Sequence, residues 1–320
     1  MPYTGAIFIV MQETGMSVKY ISAVVFIAFL AISLVLAGGS YFSNSFQVKG
    51  VANVLNGNAS SAYEEEFDKN LKHRDVSIDA WNVAGFVLFG EGREGVLIGQ
   101  DGWLFTNEEF NHDKDFEINV QRNKQLILNA SKKLARKNIK LVVVPLPSKA
   151  RIYSDKLGRY DFPSYWLNQY KGLSNFLNEN NIPFVDLLKV FRKNKSENIY
   201  LKTDTHWTPL GARLTSLKID YYITDKFPYL SWPVTKFQSE KLEKIDYEGD
   251  LMRYTVNGGI AEHFGLKGDN FTKWETVSNG SSEGALFGDV YLPITLVGTS
   301  YSANKMWNFE GFLKEALGIL

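Results

Sequence analysis

The sequence lacks several residue types and motifs on which large classes of protein function depend. None of its 320 residues is cysteine, which excludes a thiol nucleophile, a thiolate zinc site and a disulfide-stabilised scaffold. No glycine-rich phosphate loop or dinucleotide-binding fingerprint occurs. Lysine and arginine (35) balance aspartate and glutamate (35), so no excess of positive charge is available to bind nucleic acid. We therefore predict no cofactor, no metal and no nucleic-acid partner.

A long uncharged segment is present near the N-terminus. Residues 20–38 carry no charged side chain, and a helix of about that length spans the hydrocarbon core of a bilayer. The segment is longer than the ~7–15-residue apolar core of a cleaved signal peptide, so an uncleaved signal anchor is favoured over a removed one. Lys19 precedes the segment and the next basic residue is Lys49. This charge bias predicts a cytoplasmic N-terminus and a single pass through the inner (cytoplasmic) membrane.

The anchor divides the chain into four predicted parts. These are a cytoplasmic tail (1–19), a transmembrane signal anchor (20–38), a stalk rich in Gly, Ser and Asn (39–61), and a folded domain (62–320). The folded domain is expected outside the cytoplasmic membrane.

Helical and strand-like patterns alternate through the folded part. Apolar residues recur at helical spacing in 116–138, after Pro163, and after Thr208-Pro209, which supply an N-cap and a first-turn proline. Short apolar runs at 139–144, 182–186 and 294–297 are typical of buried strands. The alternation predicts an α/β fold, with a mainly parallel sheet flanked by helices. Ligands of such sheets gather at the carboxyl ends of the strands.

Residue types suited to acyl transfer concentrate in two segments. Asp204 and His206 lie two residues apart before the third helix, so the carboxylate can bond one imidazole nitrogen and fix its tautomer. Ser300 follows the last predicted strand in a strand-to-helix turn, a position that exposes a nucleophilic hydroxyl. The sequence thus predicts a Ser-His-Asp triad. The structural alternatives are a turn cap, a core histidine and an ordinary turn.

Four more residues are predicted to bind substrate. Lys149 and Arg151 follow the first strand and would hold an anionic sugar, the alternative being a solvated basic loop. Trp207 and Tyr301 adjoin the histidine and the serine and would contact a sugar ring, the alternative being packing beside the sheet.

The segments Thr203–Thr208 and Gly298–Ser302 resemble the alginate O-acetyltransferase family of SGNH-hydrolase-like, membrane-anchored proteins. Five further segments are similar, at residues 91–96, 99–105, 147–153, 249–251 and 307–309, and the resemblance covers about residues 60–310. It implies an SGNH-like periplasmic domain with Asp204, His206 and Ser300 as the triad. It also implies transfer of acetyl to a hydroxyl of an exopolysaccharide such as alginate, with a separate multi-pass membrane acyltransferase as acetyl donor.

Two features depart from the wider pattern. The Asp-x-His motif precedes the serine, unlike in ordinary SGNH hydrolases, so the oxyanion donors of those enzymes are not carried over. Members also usually continue well beyond the serine, whereas 20 residues (320 minus 300) follow Ser300, so we expect the domain to lack its C-terminal end. A secreted carbohydrate esterase with the same triad and a non-catalytic polysaccharide-binding scaffold are the alternative functions. The resemblance and the anchor favour the transferase.

Overall fold

Helices account for most of the regular structure in the part of the chain that the computed structural model describes, which comprises residues 15–43, 56–70, 74–232, 234–256, 258–279 and 293–319. The chain divides into two compact units, Met1–Trp81 and Asn82–Leu320. The chemistry discussed below lies in the second unit.

The first unit contains α1 (Gly15–Ser43), α2 (Asn58–Asn70) and the beginning of α3 (Arg74–Phe89). Helix α1 includes the whole segment predicted as an anchor. Among the helices of the described residues, none combines the length and the apolar character needed to cross a membrane. Residues 1–14 of the predicted tail and 44–55 of the predicted stalk lie outside the described residues. The anchor therefore stays a prediction.

The second unit contains the end of α3 and a mixture of helices and short strands. In chain order these are β1 (Val96–Ile98), β2 (Leu104–Thr106), α4 (Phe116–Ala135), α5 (Lys149–Ile152), α6 (Ser164–Glu179), α7 (Leu188–Asn194), α8 (Pro209–Lys226), β3 (Phe237–Tyr247), α9 (Gly258–His263), β4 (Asp269–Ser278), α10 (Ser300–Ala303) and α11 (Phe309–Leu317).

The three helices predicted from periodicity are confirmed. They are α4, α6, which begins directly after Pro163, and α8. Thr208 caps α8 as expected, because its hydroxyl oxygen accepts a hydrogen bond from the Gly211 N–H at 3.3 Å and Pro209 occupies the first turn.

The strands differ from the prediction. The prediction was a mainly parallel sheet, and what the described residues contain of it is an isolated parallel bridge between Val143 and Phe184. In this bridge the Val185 N–H donates to the Val143 carbonyl at 2.9 Å. The run 294–297 forms no strand pair among the described residues, and Val297 is 89% exposed. The regular pairs are antiparallel, β1 with β2 and β3 with β4. An apolar run becomes a strand only where a neighbour supplies hydrogen-bond partners, which periodicity does not report.

The core of the second unit is dominated by buried aromatic side chains. Trp103, Trp207 and Trp307 are each no more than 2% exposed. Trp103 packs on Tyr153 with ring centroids 4.0 Å apart, and Trp207 packs on Phe309 at 5.1 Å. Helix α11 packs against α8 and β3. This core supports the loop between Tyr200 and Trp207, which carries Asp204 and His206.

A buried lysine binds three backbone carbonyl groups, one in β2 and two in that loop. Lys149, in α5, is 1% exposed, and its ammonium group donates to the carbonyl oxygens of Leu104 (2.6 Å), Lys202 (2.8 Å) and Asp204 (2.9 Å). An ammonium group has three donors, so all of them are engaged with backbone. Burial lowers the pKa of Lys149 to about 8. Lys149 therefore keeps its charge at neutral pH, and all three of its N–H donors are bonded to backbone carbonyls.

We predict that Lys149→Met strongly destabilises the protein. The substitution removes three hydrogen bonds from a charged donor to backbone carbonyls, each worth ~1.5–3 kcal/mol, so a loss of about 3 kcal/mol or more is expected. Urea unfolding followed by tryptophan fluorescence measures the change. Lys156→Met is the control, because Lys156 forms a solvent-exposed ion pair with Asp101 at 2.6 Å and should matter little. Equal unfolding midpoints for the two variants would contradict the role of Lys149.

Candidate active site

The loop that carries Asp204 and His206 is closed by backbone contacts on both sides. Tyr200 and Trp207 form an antiparallel bridge, and the Leu201 N–H donates to the His206 carbonyl at 3.1 Å. Gly249 packs directly on the loop, where a side-chain Cβ would lie 2.2 Å from the Thr203 carbonyl oxygen. Only glycine allows that approach, so the segment after β3 holds the loop in one conformation.

The structure brings the three predicted triad residues together. The His206 Nδ1 lies 2.7 Å from Asp204 Oδ1, and the His206 Nε2 lies 2.7 Å from Ser300 Oγ. When Nδ1 carries the proton that is shared with Asp204, Nε2 accepts a hydrogen bond from the serine hydroxyl. Asp204 is fully buried, the His206 side chain is 14% exposed, and Ser300 is exposed at the start of α10. This is the geometry of a serine activated by a general base.

The Asp204 carboxylate is held by four donors. Oδ1 accepts from Nδ1 and the backbone N–H of His206, and Oδ2 accepts from the Tyr247 hydroxyl (3.0 Å) and the Asp250 N–H (2.9 Å). Burial would raise the pKa of Asp204, but the hydrogen bonds from His206 and Asp250 outweigh it and place the pKa below its ordinary value of 3.8. The group is therefore ionised at neutral pH and can stabilise a protonated His206.

Two aromatic rings fix the imidazole. The His206 ring stacks on Trp307 with centroids 5.5 Å apart and contacts Tyr301 at 4.8 Å. The Tyr301 hydroxyl donates to the Thr205 carbonyl at 2.5 Å. Because Tyr301 follows Ser300 in α10, this bond ties the helix that presents the serine to the loop that presents the histidine.

A cleft of about 550 Å³ opens onto the serine. Its lining includes Ser300, His206, Tyr301, Trp166 and Asp250. This volume lies within the ~300–1,000 Å³ typical of small-ligand sites.

Of the four residues predicted to bind substrate, Tyr301 lines the cleft and the two basic residues do not. Lys149 is enclosed as described above. Arg151 is 8% exposed and donates to the carbonyls of Leu167 (3.0 Å) and Trp166, with its guanidinium 5.1 Å from the centre of the Phe162 ring. The predicted sugar-binding role is wrong for Lys149 and Arg151, because both cations are buried and bonded to backbone.

Trp207 is also a packing residue. It is 2% exposed, does not line the cleft and meets the Tyr301 ring edge-on at 5.4 Å. The alternative stated for it, packing, is what the structure shows.

Asp250 is a site residue that residue-by-residue reasoning missed. Its carboxylate accepts from the Thr205 N–H (2.9 Å) and hydroxyl (2.7 Å), and Oδ2 lies 4.0 Å from His206 Nδ1. The signal that could have found it is the segment 249–251, which belongs to the resemblance.

Asp204, His206 and Asp250 also present ligand atoms within 4.8 Å of one another, as a cation site would. Metal binding there would compete with the Asp204–His206 bond, because Nδ1 cannot share a proton and bind a cation at once.

Glu109 was missed as well, and no sequence signal indicates it. Its carboxylate accepts from the backbone N–H groups of Lys149 (3.2 Å) and Ala150 (2.7 Å) at the start of α5, and it lines the cleft. Burial raises its pKa above the ordinary value.

Comparisons with known proteins agree with this arrangement. A family model described as the SGNH hydrolase-like domain of the acetyltransferase AlgX matches residues 96–319. A probable alginate O-acetylase AlgJ of Pseudomonas fluorescens is 34% identical over 295 residues, which cover 90% of this chain and 75% of that protein.

Two solved structures are similar to this chain. The O-acetyltransferase domain of Pseudomonas putida AlgJ superposes with a TM-score of 0.63 at 31% identity, covering 70% of this chain and 77% of that one. Pseudomonas aeruginosa AlgX superposes with a TM-score of 0.53 at 25% identity, covering 70% of this chain and 53% of that one. These likenesses show an SGNH-hydrolase-like α/β fold. The chain, with a serine, a histidine and an aspartate joined at one cleft, belongs to the family of SGNH hydrolase-like acetyltransferase domains typified by AlgX.

Proposed function

We propose that this O-acetyltransferase acetylates hydroxyl groups of alginate through an acyl-enzyme on Ser300. The observation that carries the proposal is the position of His206, which lies 2.7 Å from Asp204 on one side and 2.7 Å from Ser300 on the other. The names of the relatives, alginate O-acetylases, support alginate as the acceptor. Asp204, His206 and Ser300 are the proposed catalytic residues.

The first step loads the serine. His206 Nε2 takes the hydroxyl proton as Ser300 Oγ attacks the acetyl carbonyl carbon of the donor ester. The bond between that carbon and the donor oxygen then breaks, and His206 returns the proton to the leaving oxygen. The ionised Asp204 stabilises the imidazolium between these events.

The second step transfers the acetyl group to sugar. A sugar hydroxyl gives its proton to His206 Nε2 and its oxygen attacks the acetyl carbon on Ser300. The ester bond to Oγ breaks and Oγ recovers the proton, which restores the free enzyme. No redox step occurs, and the same base serves both half-reactions.

We further propose that the catalytic domain lies in the periplasm, held to the inner membrane by residues 20–38 in a single pass. The support is the uncharged run behind Lys19. The acetyl donor would then be a separate multi-pass membrane acyltransferase, as the resemblance implies, and the anchor would keep the domain beside it.

A carbohydrate esterase is the second candidate function. It is favoured by the exposure of Ser300, because water can then reach an acetyl group on the serine as readily as a sugar can. The chemistry is otherwise the same, with water in place of the sugar hydroxyl.

We predict that Ser300→Ala lowers acetate release from an activated acetyl ester by about a thousandfold or more, because the nucleophile is lost. Intact-mass spectrometry should show one acetyl group on the parent protein and none on the variant. Ser302→Ala is the matched control, since Ser302 lies in the same helix and its hydroxyl bonds only the Thr299 carbonyl among described partners. Acetylation of the Ser300→Ala protein at the parent rate would exclude the triad.

Transfer and hydrolysis predict different products from the same acetyl-enzyme. With an acetyl donor and an alginate oligosaccharide, a transferase forms acetylated sugar at the expense of free acetate, and we expect this result. Mass spectrometry of the sugar together with an acetate assay records both products. An unchanged rate of acetate release with no acetylated sugar would instead support the esterase.

The proposed location predicts the behaviour of a reporter fused to the C-terminus. Alkaline phosphatase, which is active outside the cytoplasm, should be active in that fusion and should sediment with membranes. Deleting residues 20–38 should abolish the phosphatase activity. A fusion with a cytosol-dependent fluorescent reporter that is bright while the phosphatase fusion is inactive would refute the orientation.

A further inference from the structure

Arg253 supplies the positive charge of the cleft wall. It is the only lysine or arginine among the described residues that line the cleft opening onto Ser300. It lies in the 3₁₀ turn Met252–Tyr254, shortly after Asp250, and its side chain is exposed. The other basic residues near the site, Lys149 and Arg151, are buried away from the cleft.

The guanidinium of Arg253 is held in place by Tyr254. Its Nη2 donates to the Tyr254 hydroxyl at 2.9 Å, and its Cζ lies 4.7 Å from the centre of the Tyr254 ring. The tyrosine is fixed in turn, because its carbonyl accepts from the Arg93 N–H at 2.7 Å and its ring packs on the backbone of Gly95. A Cβ at Gly95, where φ is +116°, would lie 2.9 Å from that ring. The cation is thus oriented before any ligand arrives.

A second arginine-tyrosine pair shows what is unusual about this one. Arg159 pairs with Tyr160 in the same way. It donates to the Tyr160 hydroxyl at 2.9 Å, and its Cζ lies 5.1 Å from the centre of that ring. Arg159, however, also bonds the Phe89 carbonyl at 2.6 Å and lies 3.5 Å from Glu91. Arg253 has neither a carbonyl nor a carboxylate partner among the described residues. A guanidinium has five N–H donors, so most of those on Arg253 are available to a ligand.

We propose that Arg253 binds a carboxylate of the acceptor polysaccharide, so that it forms the uronate-recognising subsite of the cleft. The proposal rests on the proposed function, which brings a polymer of uronic acids to Ser300. A guanidinium binds a carboxylate through two parallel hydrogen bonds, which fix orientation as well as affinity.

The acidic side chains of the cleft determine the orientation of the bound sugar. Glu108, Glu109 and Asp250 also line the cleft, and their carboxylates repel an anionic sugar. Asp250 is engaged by Thr205, and Glu109 by the N–H groups of Lys149 and Ala150, so neither is free to move aside. The sugar carboxylate is therefore directed to Arg253 and its hydroxyl edge towards His206.

Binding measured on a protein that cannot turn over tests the subsite. In a Ser300→Ala background, calorimetry compares an oligouronate with the same oligosaccharide after its carboxylates have been reduced to alcohols. We expect Arg253→Gln to weaken oligouronate binding at least tenfold and to leave binding of the reduced sugar within about twofold. Binding of the oligouronate to the parent should also weaken with added salt, and less so to the variant. Arg159→Gln is the matched control and should bind both sugars as the parent does.

Three results would overturn the subsite. These are unchanged oligouronate affinity in Arg253→Gln, equal weakening of both sugars, or a parent that binds the reduced sugar as tightly as the oligouronate. Arg253→Lys keeps the charge without the paired hydrogen bonds and should give an intermediate affinity, which guards against a folding defect in the glutamine variant. Circular dichroism checks both. Because the acetylation of Ser300 is measured with a small ester and without sugar, failure here leaves that test unaffected, and the reverse also holds.

Discussion

The rest of the site depends on the hydrogen bonds that the buried ammonium group of Lys149 donates to three backbone carbonyls. The ammonium group binds carbonyls at the start of β2 and on both sides of Thr203, and so joins segments that are far apart in the chain. Burying a charge costs desolvation free energy, which is offset only when every donor of the charged group is hydrogen-bonded. Here the backbone satisfies all three, and one of these acceptors belongs to Asp204 itself. The aspartate is consequently held from its carbonyl by Lys149 and from its carboxylate by Tyr247 and Asp250.

The nucleophile and the base are connected by more than their own hydrogen bond. Asp250 binds Thr205 through two bonds, and the Thr205 carbonyl accepts from Tyr301, which follows Ser300. Helix α10 and the histidine loop are therefore tied to each other by hydrogen bonds. A serine oxygen kept 2.7 Å from its base needs no reorganisation before attack, which is where positioning contributes to rate.

Part of this structure could be predicted from the sequence, where a feature depends on neighbouring residues or on the residue types that a reaction requires. Helix α8 was predictable because its cap, proline and periodicity are all within a few residues, and the grouping of Asp204, His206 and Ser300 followed from residue types that acyl transfer requires. The parallel sheet was not predictable in the same way, since pairing depends on residues far along the chain. The sequence shows that residues 149 and 151 are basic, but it does not show that they are buried, and their roles were misassigned for that reason. Tyr247 and Asp250 reach Asp204 from more than 40 residues away with no periodic signal.

Ser300 and His206 differ in their access to solvent, and the difference bears on the size of the acceptor. The serine is exposed at the start of the one-turn helix α10, whereas the histidine side chain is 14% exposed. The acceptor hydroxyl has to reach only the outer edge of the site, where His206 Nε2 and Ser300 Oγ lie 2.7 Å apart, and Asp204 stays buried beneath them. A long polymer can then lie across the opening and be modified at an internal unit, with no need for a free end to enter the protein.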